Sequence, residues 1–204
     1  MKVRTLVFVL LAASTTAFAQ FPSRAITILV PIPPGGAPDI AARVVAAKLS
    51  ENIGQAVVVE NRAGANGNIA TDLVAKAAPD GHTLGLLADS QITINPHLYK
   101  MPLDTLRDLT PVTPVAVNQF VLTVNPSLPV RTFPEFVAYA KNANPPLAYA
   151  SGGNGSQHHL TMEMLKQRAG INLLHVPYKG GAPAATATVA GDTMAMWSGS
   201  SNAP

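Results

Sequence analysis

Apolar residues along this chain fall into two patterns that take turns. Short, nearly unbroken runs rich in β-branched residues predict buried strands, and longer stretches with an apolar residue every three or four positions predict helices. Residues 25–30 form the first such run, ended by Pro31, and a helix follows from Pro38 to about residue 53. That helix has Pro38 in its first turn, Asp39 beside its positive end, Ile40, Val44 and Ala47 on one face, and Gly54 as its stop. Residues 56–60 read as a second strand and 61–68 as a Gly/Asn/Arg loop. A helix with Ile69, Leu73 and Val74 facing inward comes next, then a turn at Pro79-Asp80-Gly81 and a third strand at 83–88.

The second half repeats the alternation with different lengths. It predicts strands at 115–124, 147–150, 172–176 and 193–197, and helices at 133–143, 157–169 and 182–190. Strands that are apolar almost throughout, separated by helices, imply parallel sheets covered on both faces, an α/β fold. The change of pattern between Pro111 and Asn118 predicts a domain boundary, with one lobe over 20–117, a second over 118–204, and ligand between them. A single sheet of six or seven strands is the competing arrangement.

The first residues add an address. Lys2 and Arg4 precede an apolar run over 6–13, and Ala17-Phe18-Ala19 supplies the small-x-small pattern of a signal-peptidase site, so 1–19 reads as a signal peptide cut before Gln20. The run is too short for a permanent span, though an uncleaved tether is the bland alternative. A periplasmic protein with no membrane insertion after cleavage is the expectation. The net charge of +3, from 14 Lys and Arg against 11 Asp and Glu, becomes +1 once Lys2 and Arg4 leave with the leader. With no Lys/Arg cluster, there is no footprint for nucleic acid. Cysteine is absent, which excludes disulfides and thiol chemistry.

Ligands of parallel α/β sheets sit beyond the carboxyl ends of the strands, and three loops there stand out. They are Pro33-Pro34-Gly35-Gly36-Ala37-Pro38-Asp39, the stretch 88–93 with Ser90 and Gln91, and Ser151-Gly152-Gly153-Asn154-Gly155-Ser156. Glycines let a ligand approach the main chain, and a helix start offers unpaired N–H groups with partial positive charge, so such loops can hold an anionic oxygen without a basic residue. Tight turns are the plainer explanation of each glycine taken singly. Neither Gly-rich loop has a dinucleotide or P-loop pattern, so no nucleotide cofactor is expected. Catalytic patterns are equally absent. His158 and His159 are adjacent and diverge on a helix, and His159 with Glu163 reads better as a solvated hydrogen-bonded pair than as metal ligands. His175 reads as a structural histidine, and Ser198 and Ser200 lack an obvious base. Neither an enzyme nor a metal site is expected.

A set of strings in consistent order carries a family resemblance. Phe21-Pro-Ser-Arg24 leads to Val30-Pro-Ile-Pro-Pro-Gly-Gly-Ala-Pro-Asp39, Gly54-Gln-Ala-Val-Val-Val-Glu-Asn-Arg62 and Gly64-Ala-Asn-Gly-Asn-Ile69. Ala77-Ala-Pro-Asp-Gly81, Ile94-Asn-Pro-His-Leu-Tyr99, Val124-Asn-Pro-Ser-Leu-Pro129, Gly153-Asn-Gly-Ser156 and His175-Val-Pro-Tyr-Lys-Gly180 follow. Together they resemble the Bug receptors, solute-binding proteins of tripartite tricarboxylate transporters. The resemblance implies the two-lobed "Venus flytrap" of type II periplasmic binding proteins, with no cofactor, closing on a small carboxylate solute that is gripped by main-chain groups. The candidate contacts on these loops are Pro34, Gly35, Gly36, Ala37, Ser151, Gly153, Asn154, Gly155 and Ser156, with Ser90, Gln91, Lys179 and Arg62 as weaker lateral candidates and Asp39 as much a helix-start residue as a contact. The resemblance implies membrane subunits of the transporter as partners; the competing readings are an extracytoplasmic sensor or interaction protein that signals to a membrane kinase through the same cleft, and a nonfunctional fragment of such a receptor. It also implies that the first lobe is completed by a later returning segment, so residues 20–204 by themselves are expected to bind weakly.

Overall fold

The computed structural model describes residues 21–199, so the signal-peptide reading and Ser200 lie outside the described residues. The elements in chain order are β1 (Ile26–Val30), α1 (Ala37–Ile53), β2 (Val57–Asn61), a 3-10 turn (Ala65–Gly67), α2 (Asn68–Lys76), β3 (Thr83–Gly85), α3 (Asp89–Thr93) and α4 (Asn95–Leu98). Then come β4 (Phe120–Val124), α5 (Phe133–Asn142), β5 (Leu147–Ser151), α6 (Gln157–Ala169), β6 (Leu173–Pro177), α7 (Gly181–Ala190) and β7 (Ala195–Gly199). Two sheets form rather than one. The first has the order β2-β1-β3 and the second β4-β7-β5-β6. All pairings in the first are parallel. In the second, β4 runs antiparallel to β7, while β5 is parallel to both its neighbours.

The helix faces of the first unit differ from the periodicity reading. In α1 the buried positions are Asp39, Ala42 and Ala46, whereas Ile40 and Val44 are 47% and 66% exposed. Alanines let the helix lie close on the sheet, where Ala42 and Ala46 pack with Ile28 and Val30. In α2 the inward pair is Ala70 and Thr71, and Ile69 and Leu73 are 47% and 42% exposed. Thr71 Oγ1 donates to Gly67 O at 3.0 Å, which absorbs its hydroxyl inside the core.

Two predicted strands are shorter than their apolar runs. β3 stops at Gly85, although Leu86 N–H still donates to Leu29 O at 3.0 Å. Residues 115–119 belong to no strand, and β4 begins only at Phe120, paired with Gly199. The stretch 88–93, read as a loop, contains α3 because Gln91 Oε1 reaches back to accept from Ala88 N–H at 2.7 Å and so closes its first turn.

The second unit has the larger core, built from Phe136, Tyr149, Met162, Leu173 and Ala195. Its helices start on side-chain caps: Thr132 and Glu135 form a reciprocal capping box at α5, and Ser156 Oγ accepts from His159 N–H at α6. No helix among the described residues is long and apolar enough to cross a membrane.

Candidate functional site

The loops at the carboxyl ends of β1, β5 and β6 meet along a seam between the two sheets. Gly180, the N-cap of α7, stands against the loop entering α1. A Cβ on Gly180 would lie 3.0 Å from Pro33 Cδ and 3.7 Å from Ile32 Cβ. Farther along, a Cβ on Gly155 would lie 2.5 Å from Leu98 Cδ1 and 3.7 Å from Asn66 Nδ2. The Tyr99 hydroxyl donates to Asn154 O, and Gln157 Nε2 donates to both carboxylate oxygens of Asp89 at 2.7 and 2.8 Å. Glycine is needed at Gly155 and Gly180 because each combines a positive φ, 76° and 120°, with a close neighbour from the other unit.

Helix starts are used unequally along this seam. At α1 the N-cap is Gly36, and no side chain caps the helix. Ala37, as the first residue of the helix, has an N–H without a partner inside its own helix. The same holds at α7, where Gly180 is the N-cap and the N–H groups of Gly181 and Ala182 open the first turn without a side-chain cap. Two positive helix ends therefore lie on loops that touch.

The first loop is braced by Asp39, which is 2% exposed. Its carboxylate accepts from Gly35 N–H at 2.9 Å, Arg43 Nε at 3.1 Å and Asn61 Nδ2 at 2.9 Å. Burial pushes this carboxyl up, but hydrogen bonds from Arg43, Gly35 and Asn61 more than offset it and bring it to about 2. Asp39 thus ties β2 to the loop, and the N–H of Gly35, expected to face solute, is spent on it. Pro34 is exposed and Gly36 buried, with a Cβ at Gly36 falling 2.3 Å from Ile32 Cδ1.

The expected grip from the third loop changes most. Gly153 N–H donates to Ser151 Oγ at 3.1 Å, Gly155 N–H to His159 Nδ1 at 3.1 Å, and Ser156 N–H to Gly153 O at 3.1 Å. Three amides of this loop are therefore already committed, two within the loop and one to His159 on α6, and α6 is capped by Ser156 itself. Ser151, fully buried, also lies 2.6 Å from His175 Nε2.

Ser90 and Gln91 are buried as well: Gln91 Nε2 donates to Asn66 O at 2.9 Å and to Ser90 Oγ at 3.3 Å. Arg62 is ion-paired with Glu60. Lys179 is exposed. Glu163 accepts from Tyr149 Oη at 2.7 Å and Lys166 Nζ at 2.8 Å, so it serves those groups rather than the pairing with His159 expected from spacing. His158 turns away to pack edge-on against Phe120, and burial pushes it down to about 4. Ser198 is buried and donates to Gly199 O at 3.4 Å. Among the described residues there is no group of three His, Asp or Glu able to hold a metal ion.

Sequence reasoning missed Asn66, Asn95, Tyr99 and Gly180. Ala65 and Asn66 have φ of 47° and 52°, which turns Asn66 toward the seam. Its Nδ2 donates to Asn95 Oδ1 at 2.8 Å, while its carbonyl accepts from Asn95 and Gln91. The signal was present in Gly64-Ala-Asn-Gly67, where flanking glycines permit that turn. A groove of about 750 Å3 lies elsewhere, between α5, α6 and Trp197, and includes none of these loops.

Mixed parallel sheets flanked by helices, with loops converging at the strand ends, define a periplasmic binding protein fold. The Rhodopseudomonas palustris protein Rpa4515, solved with adipate, superposes with a TM-score of 0.85 at 36% identity over 88% of this chain and 60% of that one. MatC from Rhodopseudomonas palustris, solved with bound malate, gives 0.76 at 30% identity, over 88% and 61%. Residues 41–203 match the tripartite tricarboxylate transporter family receptors, TctC, and the chain belongs to that family. Among curated relatives, a UPF0065 protein from the tcbD-tcbE intergenic region of Pseudomonas sp. (strain P51) is 44% identical over 84% of this chain and 51% of its own length. BugT of Bordetella pertussis is 42% identical over 80% and 51%. The chain spans about half the length of these relatives.

Proposed function

We propose that this chain forms the N-terminal part of a periplasmic receptor that captures a small carboxylate-bearing solute for a tripartite tricarboxylate transporter, and that it is not an enzyme. The observation that carries the reading is the pair of uncapped helix starts, α1 and α7, on loops that touch across the seam. Such ends favour a negative oxygen through main-chain N–H groups alone. Adipate and malate in the two solved relatives are small dicarboxylates, in keeping with this chemistry.

In this reading the lobes are 20–117 and 118–204, the leader is 1–19, and the mature protein is exported. Ala37, Gly36, Gly181 and Ala182 supply the grip, with Pro34, Asn154 and Lys179 at its edges. Asp39, Gln91, Ser151, Gly153, Gly155 and Ser156 shape the loops from behind. Charge-assisted hydrogen bonds contribute about 1.5–3 kcal/mol each, so the roughly −8 kcal/mol of micromolar binding needs several of them together with burial of the solute on lobe closure to exceed the cost of association.

The test is a thermal-shift screen of the chain extended to the length of its relatives by a homologous C-terminal segment. Di- and tricarboxylates should raise the melting temperature, and the corresponding amides should not. A response to uncharged amides but not to carboxylates would sink the reading. Uptake of labelled solute in a deletion strain would then separate transport from sensing through a membrane kinase.

A further inference from the structure

Behind the loop of residues 151–156 stand two histidines that the proposed grip does not use. His159 Nδ1 accepts the N–H of Gly155 at 3.1 Å, and His175 Nε2 lies 2.6 Å from Ser151 Oγ. The two rings stack on each other, 4.1 Å between centroids and 14° from parallel, and His175 stacks in turn on Tyr149 at 4.9 Å. Each ring therefore anchors one end of the same six-residue loop. The loop's centre, Asn154, is the point that accepts the Tyr99 hydroxyl from the opposite unit.

We propose that His159 and His175 are positioning residues that hold this loop in its solute-closing shape while His159, stacked on His175, is uncharged, so that acid loosens the loop and weakens solute binding. The chemistry is direct. A ring nitrogen that accepts a main-chain N–H must carry a lone pair. Protonating His159 at Nδ1 replaces an acceptor with a second donor facing Gly155, and that bond is lost. Placing charge on both rings sets two cations against each other at stacking distance.

The surroundings oppose charge on the pair. Burial pushes His175 down to about 4; the neighbouring His159 and Lys166 add to this, and Glu163 opposes it. His159 is pushed down by burial, raised by Glu163 and lowered by Lys166. The charged and titratable groups facing the pair are thus Glu163 and Lys166 from α6 and Tyr149 from β5, with Tyr99 reaching the loop from the other unit. Glu163, already held by Tyr149 and Lys166, offsets only part of the cost of charging either imidazole. Because both histidines have folded-state pKa values below the ordinary one, the neutral pair persists through neutral pH and is lost on acidification toward the shifted values.

The proposal rests on the receptor reading, and the experiment separates the two. Imidazole 15N spectra and amide exchange of Gly155 need no solute. The wild-type protein should show His159 as the Nε2–H tautomer, and protection of the Gly155 amide that disappears as the two rings titrate. His159→Leu should remove that protection already at neutral pH. His159→Asn, which places an uncharged acceptor near the Nδ1 position, should restore it and keep it through the acid range. In the extended protein, malate affinity should fall about tenfold in His159→Leu, the effect of one hydrogen bond, and be rescued to within about threefold in His159→Asn. Loss of Gly155 protection with the same acid midpoint in wild type and His159→Asn would overturn the proposal, as would full protection in His159→Leu. If the amide behaves as expected but no di- or tricarboxylate of the screen binds at any pH, the receptor reading fails and the positioning role stands.

Discussion

Asp39 was read from the sequence as either a helix-start acid or a solute contact, and its environment assigns it to bracing. It is buried with three donors around it, and its folded-state pKa of about 2 lies below the ordinary 3.8. The unfolded chain therefore binds the proton more readily, so the stability due to Asp39 is fully present above the ordinary carboxylate range. It is lost as pH falls from there through about 2. Asp39→Asn should lower stability by about 1–2 kcal/mol near neutral pH, with the gap to wild type closing in acid. Urea titrations of both proteins across that range check this, and a gap that stays constant with pH would remove the ionic role. What the sequence made legible here was the residue's place at a helix start. Its partners were not legible, because Asn61 comes from the end of β2 and Arg43 reaches back by one turn. The same limit applies to Ser151, Gln91 and Gly155: their types suggested ligand contacts, while their actual partners come from distant or newly formed elements.

At the scale of elements, strand and helix identities were largely readable because local pattern and punctuation agree. Helix α6 has the predicted bounds, 157–169, with Ser156 before it and Gly170 after it. Faces were harder to read. The apolar positions of α1 and α2 predicted the inward side, yet Asp39, Ala42 and Ala46 on α1 and Ala70 and Thr71 on α2 took it, and the alanines let the helices lie close to the short strands. Residues 115–119 were misread because apolar character alone does not supply a pairing partner. In the second unit, pattern and packing coincide: Phe136 on α5 is 1% exposed and sits in the core with Tyr149 and Met162. Phe136→Ala should cost about 3–5 kcal/mol through lost burial and the cavity left behind. A denaturant midpoint shifted by far less would mean that α5 is not part of that cooperative core.

For the whole molecule, the arrangement that matters is the seam at which loops from two sheets meet. The sequence indicated which loops lie at strand ends but not which helix start would be left open. α6 closes its own N-terminus with Ser156, while α7, preceded only by Lys179 and Gly180, does not. The central claim is that main-chain N–H groups at open helix starts grip a carboxylate, and Ala37 allows one of them to be deleted. It is the first residue of α1, and Gly36 before it has φ −80° and ψ 163°, a conformation compatible with a following proline. Proline at that position removes the N–H while suiting the helix start. The decisive measurement is titration calorimetry of malate and adipate into the extended protein, wild type and Ala37→Pro, with melting temperatures recorded beside it. The account predicts an unchanged melting temperature and an affinity weaker by about 10- to 100-fold, the loss of one charge-assisted hydrogen bond. Equal affinity in a folded Ala37→Pro protein would contradict it.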